Sequence, residues 1–254
     1  MANYKDLPIV TILDSCELCA KGCDGFVSKS ESGMETYKSV GFWYNRYYFH
    51  DTCEEAFLKS LDEIKSKVKD GYPFLLCYER NNENAFFDKL LVKNGFMLLF
   101  TQSGMNIKLE DFNANYDSSS IKLITKDELK SWSEVVAKAF DKPYEDECFF
   151  AMMNANDDNA KFYAYYEDGK MVGTTLTYLK DGVLGIHEVS VLPEYQRKGI
   201  ARNLIVKALL DAKASGAKYA SLQASPTGKL LYESMGFELI NEIQNVVLRP
   251  KEIE

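Results

Sequence analysis

Apolar positions in the second half of the chain follow the spacing of helices and of strands in turn. In KDELKSWSEVVAKAF they recur at helical spacing, which predicts a helix that Asp127 can cap. A second short helix is predicted from Tyr144 to Asn154, and the turn at Asp168 and Gly169 joins two strand-like runs as a hairpin. Next come a predicted strand GVLGIHEVSVL, a long helix over about 199–215, a strand YASLQA, a short helix TGKLLYESMG and two closing strands. This alternation predicts an α/β fold.

The first half of the chain repeats the end of this plan. The segment YPFLLCYERNNENAFFDKLLVKNGFMLLFTQSGMNIKL reads strand, helix, strand and strand, and it aligns with KYASLQASPTGKLLYESMGFELINEIQNVVLRP so that Gly95 falls on Gly236. A polar run without apolar periodicity, NANYDSSS, lies between the two halves. We therefore expect two domains, residues 1–116 and 117–254.

The stretch PEYQRKGIARNL, residues 193–204, has the chemistry of an anion-binding turn. It joins a predicted strand to the long helix, whose first N–H groups point outward at the positive end of the helix dipole. Gly199 lets a ligand approach the backbone, Ala201 keeps a nearby position small, and Arg197 and Lys198 add positive charge. This combination suits a pyrophosphate better than a lone carboxylate. Nothing in the first half matches this stretch, so we expect only the second half to carry the chemistry.

Composition narrows the classes of function. Apolar residues make up 46% of the chain and charged residues 27%, which favours a folded, soluble protein over a disordered one. Apolar runs fall short of the roughly 20 residues of a membrane span. The net charge of -8, without a basic cluster, argues against a nucleic-acid partner. The N-terminal MANYKDLPIV lacks the pattern of a secretory signal, so we expect a cytoplasmic location.

Six cysteines raise the question of a metal site. Three of them lie close together in DSCELCAKGC: Cys16, Cys19 and Cys23. A zinc site of the Cys3His type would need a fourth ligand, for which His50 and Cys53 are available. The alternative is a short helix capped by Ser15 that carries all three sulfurs on one face, where cysteine behaves as a small apolar residue. We expect the helix and no metal.

The second half resembles the Gcn5-related N-acetyltransferase (GNAT) family of acyl-CoA-dependent enzymes. The resemblance covers about Ile121 to Leu248 and rests on VSVLPEYQRKGIA, the helix ending at Gly216, LQAS and LLYESMGF, in that order. Through GFWYNRYYF, GYPF and GFMLLF followed by SGM, the chain also resembles a two-part subset with a degenerate N-terminal GNAT-like half. The resemblance implies a tandem GNAT fold, α/β or α+β by some schemes, with a mixed central sheet flanked by helices in each half.

The resemblance implies acetyl-CoA as the cofactor and indicates which residues hold it. In the family, the Q/R-x-x-G-x-G/A turn binds the CoA pyrophosphate through backbone N–H groups, and the preceding strand holds the pantetheine arm. The turn residues of this chain are Gln196, Arg197, Lys198, Gly199, Ile200 and Ala201, and the strand residues are Val189 and Val191. Ala201 replaces the commoner glycine, and Ser225 stands where many members have an asparagine.

Acetyl transfer from a thioester to an amine needs a base, a polarised carbonyl and an acid for the leaving thiolate. The resemblance assigns the acid to Tyr232, whereas Leu91 stands at the corresponding position of the first half. His187, whose ordinary pKa of about 6.5 suits a base, and Glu188 are rivals for that role, directly or through water. Strand alternation separates these two side chains unless a bulge intervenes. A structural histidine, a solvated glutamate and a core tyrosine with a bonded hydroxyl remain the alternatives.

Together these features predict an acyl-CoA-dependent N-acyltransferase that moves acetyl to a primary amine or peptide amine in a ternary complex, as a monomer or homodimer. Two other functions stay open: a catalytically silent acyl-CoA-binding regulatory module, and an aminoacyl or peptidyl transferase on the same fold. The second would need a basic groove, which an acidic chain does not supply. Loops expected beside the acceptor favour a cationic amine, because they carry Asp141, Glu145, Asp146, Glu147, Asp157 and Asp158.

Overall fold

One mixed sheet of eleven strands organises the computed structural model, which describes residues 3–50, 52–69, 75–81, 84–141 and 146–248. The first half supplies β1 (Phe26–Lys29), β2 (Met34–Lys38), β3 (Arg46–Phe49), β4 (Leu75–Arg80) and β5 (Phe96–Lys108). The second half supplies β6 (Ile121–Leu123), β7 (Ala160–Glu167), β8 (Lys170–Lys180), β9 (Val183–Val191), β10 (Tyr219–Ala224) and β11 (Glu238–Leu248). The helices are α1 (Leu7–Lys21), α2 (Glu54–Lys69), α3 (Ala85–Lys93), α4 (Leu129–Phe140), α5 (Asp146–Asn154), α6 (Ile200–Ala214) and α7 (Lys229–Glu233).

The two halves exchange strands at the centre of the sheet. The strand order is β1-β2-β3-β4-β11-β5-β10-β9-β8-β7-β6, so β11 lies between β4 and β5, while β5 pairs with β10 of the second half. The pairs β3–β4 and β9–β10 are parallel, and β5 and β11 run antiparallel at the centre. Each half therefore completes the sheet of the other. The division at residues 116 and 117 falls in the connection between β5 and β6 and stays a prediction.

The prediction of two closing strands in each half is wrong, because each half ends in one long strand. The strand β11 pairs with β5 from Glu238 to Leu248 and absorbs two register irregularities, one after Leu239 and one after Asn245. A bulge breaks the alternation of apolar and polar positions as a turn does, but the strand continues through it. The segment GYPF, at residues 71–74, lies outside the described residues.

Helix α1 belongs to the first half by sequence but packs on the second half as well. Its buried residues, including Ile12 and Cys16, share one core with Trp132 of α4, Phe149 of α5 and Leu184 of β9. A second core joins α2, α3 and β3 to the end of β11. The apolar packing of the two halves is therefore continuous across the region where α1 lies.

Two predicted helix caps are wrong. The helix α1 begins at Leu7, so Ser15 lies inside it and donates to the Ile12 carbonyl at 2.6 Å. Before α4, Thr125 and Glu128 form a capping box, and Asp127 lies within the short turn between them. Among the described helices, none is both long enough and apolar enough to span a membrane.

Candidate active site

The turn between β9 and α6 leaves open space in front of the start of the helix. Gly199, the N-cap of α6, has a φ of 82°, and a Cβ placed on it would meet nothing within 4 Å in the described part of the chain. Arg197 also has a positive φ, of 62°, which is uncommon for a residue with a side chain. The start of α6, at the positive end of the helix dipole, is therefore open to a ligand, and this arrangement suits a phosphate group.

Side chains fix the turn on its strand side and leave positive charge on its outer side. Gln196 donates from Nε2 to the Val191 carbonyl at 3.2 Å. Lys198 Nζ lies 3.3 Å from Glu167 Oε1 in an exposed ion pair, and Arg197 is exposed. An exposed pair contributes little stability, so Lys198 can turn toward a phosphate at low cost. The apolar Ile200 is buried beneath the turn and anchors the first residue of α6.

A β-bulge interrupts β9 just before this turn. The register of β8 and β9 shifts so that Glu188 and Val189 lie opposite the single residue Thr175. Glu188 has a φ of 51°. The Thr175 hydroxyl donates to the His187 carbonyl at 3.1 Å, and the Thr174 hydroxyl donates to the Glu188 carbonyl at 3.2 Å. At the bulge, successive side chains no longer alternate between the two faces of the sheet. His187, Glu188 and Val189 therefore all line one cavity.

That cavity, of about 290 Å³, lies against both halves of the chain. Five of the predicted catalytic and cofactor-binding residues line it: His187, Glu188, Val189, Ser225 and Tyr232. The first half contributes side chains from α1, from the segment before β3, from the start of β3 and from β5, among them Cys16, Trp43, Tyr44, Arg46, Phe100 and Gln102. Val191 and residues 196–201 lie beyond it, at the end of β9. Some of the predicted cofactor-binding residues therefore line the cavity and the others form the turn. The strand β9 runs from the cavity to the turn.

Tyr232, on α7, carries a hydroxyl that no described residue binds. The side chain lines the cavity, is only 8% exposed, and packs its ring edge-on against Phe237 with centroids 5.7 Å apart. Burial raises the pKa of Tyr232 well above its ordinary value, so the phenol stays protonated at neutral pH. A buried tyrosine kept only for packing usually has a bonded hydroxyl. This hydroxyl is free to donate a proton or a hydrogen bond into the cavity.

Glu188 connects the bulge to the first half. The hydroxyl of Tyr44, in the segment before β3, donates to Glu188 Oε1 at 2.8 Å. Tyr44 is buried and packs edge-on against Phe149 of α5. This contact holds the carboxylate at the cavity wall, and it shows how a strand of the second half depends on a side chain of the first.

Ser225 has a local structural contact as well as a place at the cavity. Its Oγ accepts a hydrogen bond from the Gly228 N–H at 3.2 Å and lies 3.1 Å from the Thr227 hydroxyl. These contacts shape the loop between β10 and α7. Because α7 carries Tyr232, the loop also sets the position of the predicted acid.

Comparison with known proteins identifies the family. Residues 125–246 match the family model described as the acetyltransferase (GNAT) domain. Residues 125–246 form a GNAT acetyltransferase domain. Its enzyme class is therefore that of the acyl-CoA-dependent N-acyltransferases. Comparison with curated protein sequences gives no match.

Solved structures extend the likeness to both halves. A GCN5-related N-acetyltransferase from Kribbella flavida has a TM-score of 0.67 at 14% identity, with 95% of this chain and 96% of that chain covered. A functionally unknown conserved protein from Staphylococcus epidermidis gives 0.64 at 16%, covering 89% and 94%, and a GCN5-related N-acetyltransferase from Sphaerobacter thermophilus gives 0.62 at 16%, covering 89% and 76%. The predicted α/β fold with a mixed sheet is confirmed.

His187 of the GNAT domain has an acid–base state that the sequence did not reveal. Its Nε2 atom is buried and has no hydrogen-bond partner among the described residues. Burial, and secondarily the positive charge of Arg46, lower the pKa of His187 to about 4. The expected value near 6.5 is wrong, because the cation loses its water and is repelled by Arg46. A Cβ on Gly185 would lie 2.8 Å from Nε2, so this glycine makes room for the imidazole.

Acid stability tests this assignment of His187. We expect wild type to lose about 2 to 3 kcal/mol of stability, relative to His187→Gln, between pH 7 and pH 4.5. The reason is that the unfolded chain takes up a proton near pH 6.5, whereas the folded imidazole takes one up only near pH 4. Urea unfolding at the two pH values measures the difference. His50→Gln removes the other histidine of the chain from the surface and controls for the substitution. A difference independent of pH would contradict the buried, neutral state.

The acidic residues expected beside the acceptor do not line the cavity. Glu145 lies outside the described residues. Asp157 accepts a hydrogen bond from the Tyr178 hydroxyl at 2.9 Å, and with Asp158 it borders a separate hollow near α5. Asp141, Asp146 and Glu147 are likewise absent from the cavity wall. The electrostatic preference for an acceptor must therefore come from other residues.

The three clustered cysteines lie on α1 and the turn that follows it. Cys16 and Cys19 are buried, and burial raises the pKa of Cys16 to about 12. Cys23 donates to the Cys19 carbonyl at 3.3 Å, and His50 lies 2.8 Å from a Glu35 oxygen. Within the described ranges, no group of three or more histidine, cysteine, aspartate or glutamate side chains is arranged to bind a metal ion.

Arg46 and Tyr44 are the site residues that sequence reasoning missed. Both lie in GFWYNRYYF, a segment that contributes to the resemblance to the two-part subset but was assigned no site residue. The sequence did contain a signal, which is an arginine followed by three aromatic residues in a strand-like run. A cation within a buried strand is rare, so such an arginine is a candidate for a functional role. Its position beside a catalytic strand of the other half could not be read from the sequence.

Proposed function

We propose that the chain transfers an acetyl group from acetyl-CoA directly to a primary amine, with both substrates bound together. The observation that carries this proposal is the cavity at the bulge of β9, which Tyr232, whose hydroxyl is bonded by no described residue, lines together with His187 and Glu188. The turn at Gly199, which we propose binds the pyrophosphate, lies at the end of the same strand. A long ligand that is bound at the turn by one end can extend along β9, so that its reactive end reaches these side chains.

The residues of the turn fit a CoA pyrophosphate. The open space in front of Gly199, the helix N-terminus and the adjacent cations Arg197 and Lys198 favour a multiply charged anion. Along β9, the backbone of Val189 and Val191 would hold the pantetheine arm. When bound, acetyl-CoA supplies the acetyl group as a thioester with a thiol as leaving group.

The base side of the reaction falls to His187 and Glu188. The amine nitrogen bonds to the acetyl carbon and gives up one proton, while the carbon–sulfur bond breaks and its electron pair stays on sulfur. A neutral His187 can accept a hydrogen bond or the proton at its unpartnered Nε2. Glu188, held by Tyr44, offers a carboxylate that attracts the protonated amine before it reacts.

The acid side of the reaction falls to Tyr232. Its phenol is protonated at neutral pH and donates to no described residue, so it can deliver a proton to the departing sulfur. Burial also destabilises a thiolate formed beside it, so the rise in the pKa of Tyr232 is matched by a rise in the pKa of the thiol that it protonates. No covalent attachment to the chain is needed.

The first half shapes the acceptor side in this proposal. Tyr44 orients Glu188, and Trp43, Phe100 and Arg46 line the same cavity. We propose no second CoA site there: the α2 helix has Glu54 and Glu55 in its first turn, and their charges would repel a pyrophosphate.

A panel of amines tests the function. Purified protein is mixed with acetyl-CoA and one amine at a time, including polyamines, amino acids and short peptides, and release of free thiol is followed. We expect at least one amine to raise thiol release well above the rate without acceptor, and an acetylated product of matching mass to accumulate. Calorimetry with CoA runs in parallel. Tight CoA binding with no acceptor-dependent thiol release would support a silent binding module instead.

A further inference from the structure

Arg46 is a buried cation that faces the cavity. It is the first residue of β3 and is only 8% exposed. Its Nη1 donates to Asn245 Oδ1 of β11, and Asn245 in turn donates to Gln102 of β5 at 3.2 Å. The Nε of Arg46 has no hydrogen-bond partner among the described residues. A guanidinium has five N–H donors, and a buried one normally uses them on an anion.

No carboxylate forms an ion pair with Arg46 in the described part of the chain. None of the ion pairs there involves Arg46. Cys16 and Cys77 lie within hydrogen-bonding reach of Arg46 and feel its charge, but burial raises the pKa of both thiols, so they stay neutral and supply no counterion. A buried charge without a counterion is strongly unfavourable, and its persistence points to a ligand that completes the site.

The cavity therefore offers a cation and an anion to one small molecule. Arg46 supplies the positive charge, and Glu188 on the bulge supplies the negative charge. A polyamine would leave Arg46 without a counterion and would be repelled by it, whereas a molecule with an amine and a carboxylate can place its carboxylate on Arg46 and its amine toward Glu188.

We propose that the acceptor is an amino acid, whose carboxylate binds Arg46 while its amine faces Glu188 and His187. This proposal rests on the proposed N-acetyltransferase function and narrows its substrate class. The carboxylate would also remove the repulsion that Arg46 exerts on a protonated His187, so binding of the acceptor favours proton uptake at the base. Aromatic side chains of Trp43, Phe100 and Phe140 line the same cavity and suit an apolar side chain on the amino acid.

Matched pairs of acceptors test the proposal. Each natural L-amino acid is compared with its carboxamide, which keeps the size and the amine but removes the negative charge. We expect kcat/KM for the preferred amino acid to exceed that for its amide by about 100-fold or more, because the amide leaves the buried Arg46 unpaired. Equal rates for the two members of every active pair would overturn the proposal while the acetyltransferase function stands.

Arg46→Met provides the matched variant, since it keeps much of the length of the side chain and removes the charge. We expect the ratio of kcat/KM between amino acid and amide to collapse toward one, mainly through a raised KM, and Arg46→Lys to restore part of it. Because both members of a pair are measured on the same preparation, this ratio does not depend on how much of the variant is folded. A preference that survives in Arg46→Met would overturn the assignment to Arg46.

The carboxylate that binds Arg46 could also belong to the acyl group of the donor. A second experiment distinguishes this source from the acceptor. Succinyl-CoA and butyryl-CoA are compared with a carboxylate-free amine. A preference for succinyl-CoA that Arg46→Met abolishes would place the carboxylate on the donor and overturn the acceptor assignment.

If no amine turns over, the proposed function fails. The inference is then decided by calorimetry on CoA-loaded protein, where amino acids should bind and their amides should not; equal binding, or none, overturns it.

Discussion

Gly199→Glu is expected to abolish CoA binding, with a loss of affinity of about 100-fold or more. The new carboxylate would lie in the open space at the N-terminus of α6, where the proposed pyrophosphate binds, and like charges would repel each other there. The substitution also places a side chain at a φ of 82°, which costs about 1 to 2 kcal/mol of stability. Calorimetric titration with CoA measures the affinity, and urea unfolding shows that the protein remains folded.

Two control variants separate charge from strain in this experiment. Gly199→Gln has the same size and the same backbone strain without the charge, so it should weaken binding less. Gly182→Glu introduces a carboxylate at a φ of 78°, also with nothing within 4 Å, but at the start of β9 rather than its end. It should bind CoA as wild type does. Unchanged affinity in Gly199→Glu would show that the pyrophosphate does not bind at this turn.

Tyr232→Phe should separate catalysis from binding. The change removes the hydroxyl and keeps the ring that packs on Phe237, so CoA affinity and stability should barely change. Turnover should fall by about 10²- to 10⁴-fold, the range for a lost general acid. The loss should be at the low end of that range, because a thiolate with a pKa of about 8.5 is a fair leaving group, and it should shrink as pH rises. Steady-state rates with a chemically limited acceptor over pH 6 to 9 measure it.

Tyr163→Phe is the matched control for Tyr232→Phe. Tyr163 lies in β7, and its hydroxyl donates to Asp211 of α6 at 2.8 Å, outside the cavity. Removing that hydroxyl should cost about 1 kcal/mol of stability and leave kcat unchanged. The two variants should therefore show opposite patterns. If Tyr232→Phe turned over at the wild-type rate, the tyrosine would be structural and another group would have to supply the proton.

The turn at Gly199 could be predicted from the sequence because its conformation and its charge are local properties. A glycine at the start of a helix, flanked by cations and a small residue, has the same meaning in any tertiary context, since the backbone N–H groups belong to the segment itself. Gly199 and Arg197 indeed adopt the positive φ values of a tight turn. The repeat was equally visible, because each half encodes its own strands and helices in its periodicity.

The bulge in β9 is a feature that the local sequence does not determine. His187 and Glu188 are neighbours on a strand, and alternation alone separates their side chains. They share a cavity because β8 and β9 shift register and because Tyr44, distant in sequence, binds the Glu188 carboxylate. Register and a hydrogen bond between the halves depend on which strands pair, and that pairing is set by packing over the whole sheet.

The sequence by itself determined the GNAT-like order of elements, the turn at Gly199 and the tyrosine on α7, because each is encoded within one short segment. Only the tertiary structure decided that β5 and β11 exchange places between the halves and that Arg46 of the first half faces His187 of the second. The physical reason is that charge and burial act through space. The pKa of His187 and the unsatisfied charge of Arg46 arise from neighbours that are more than a hundred residues apart along the chain.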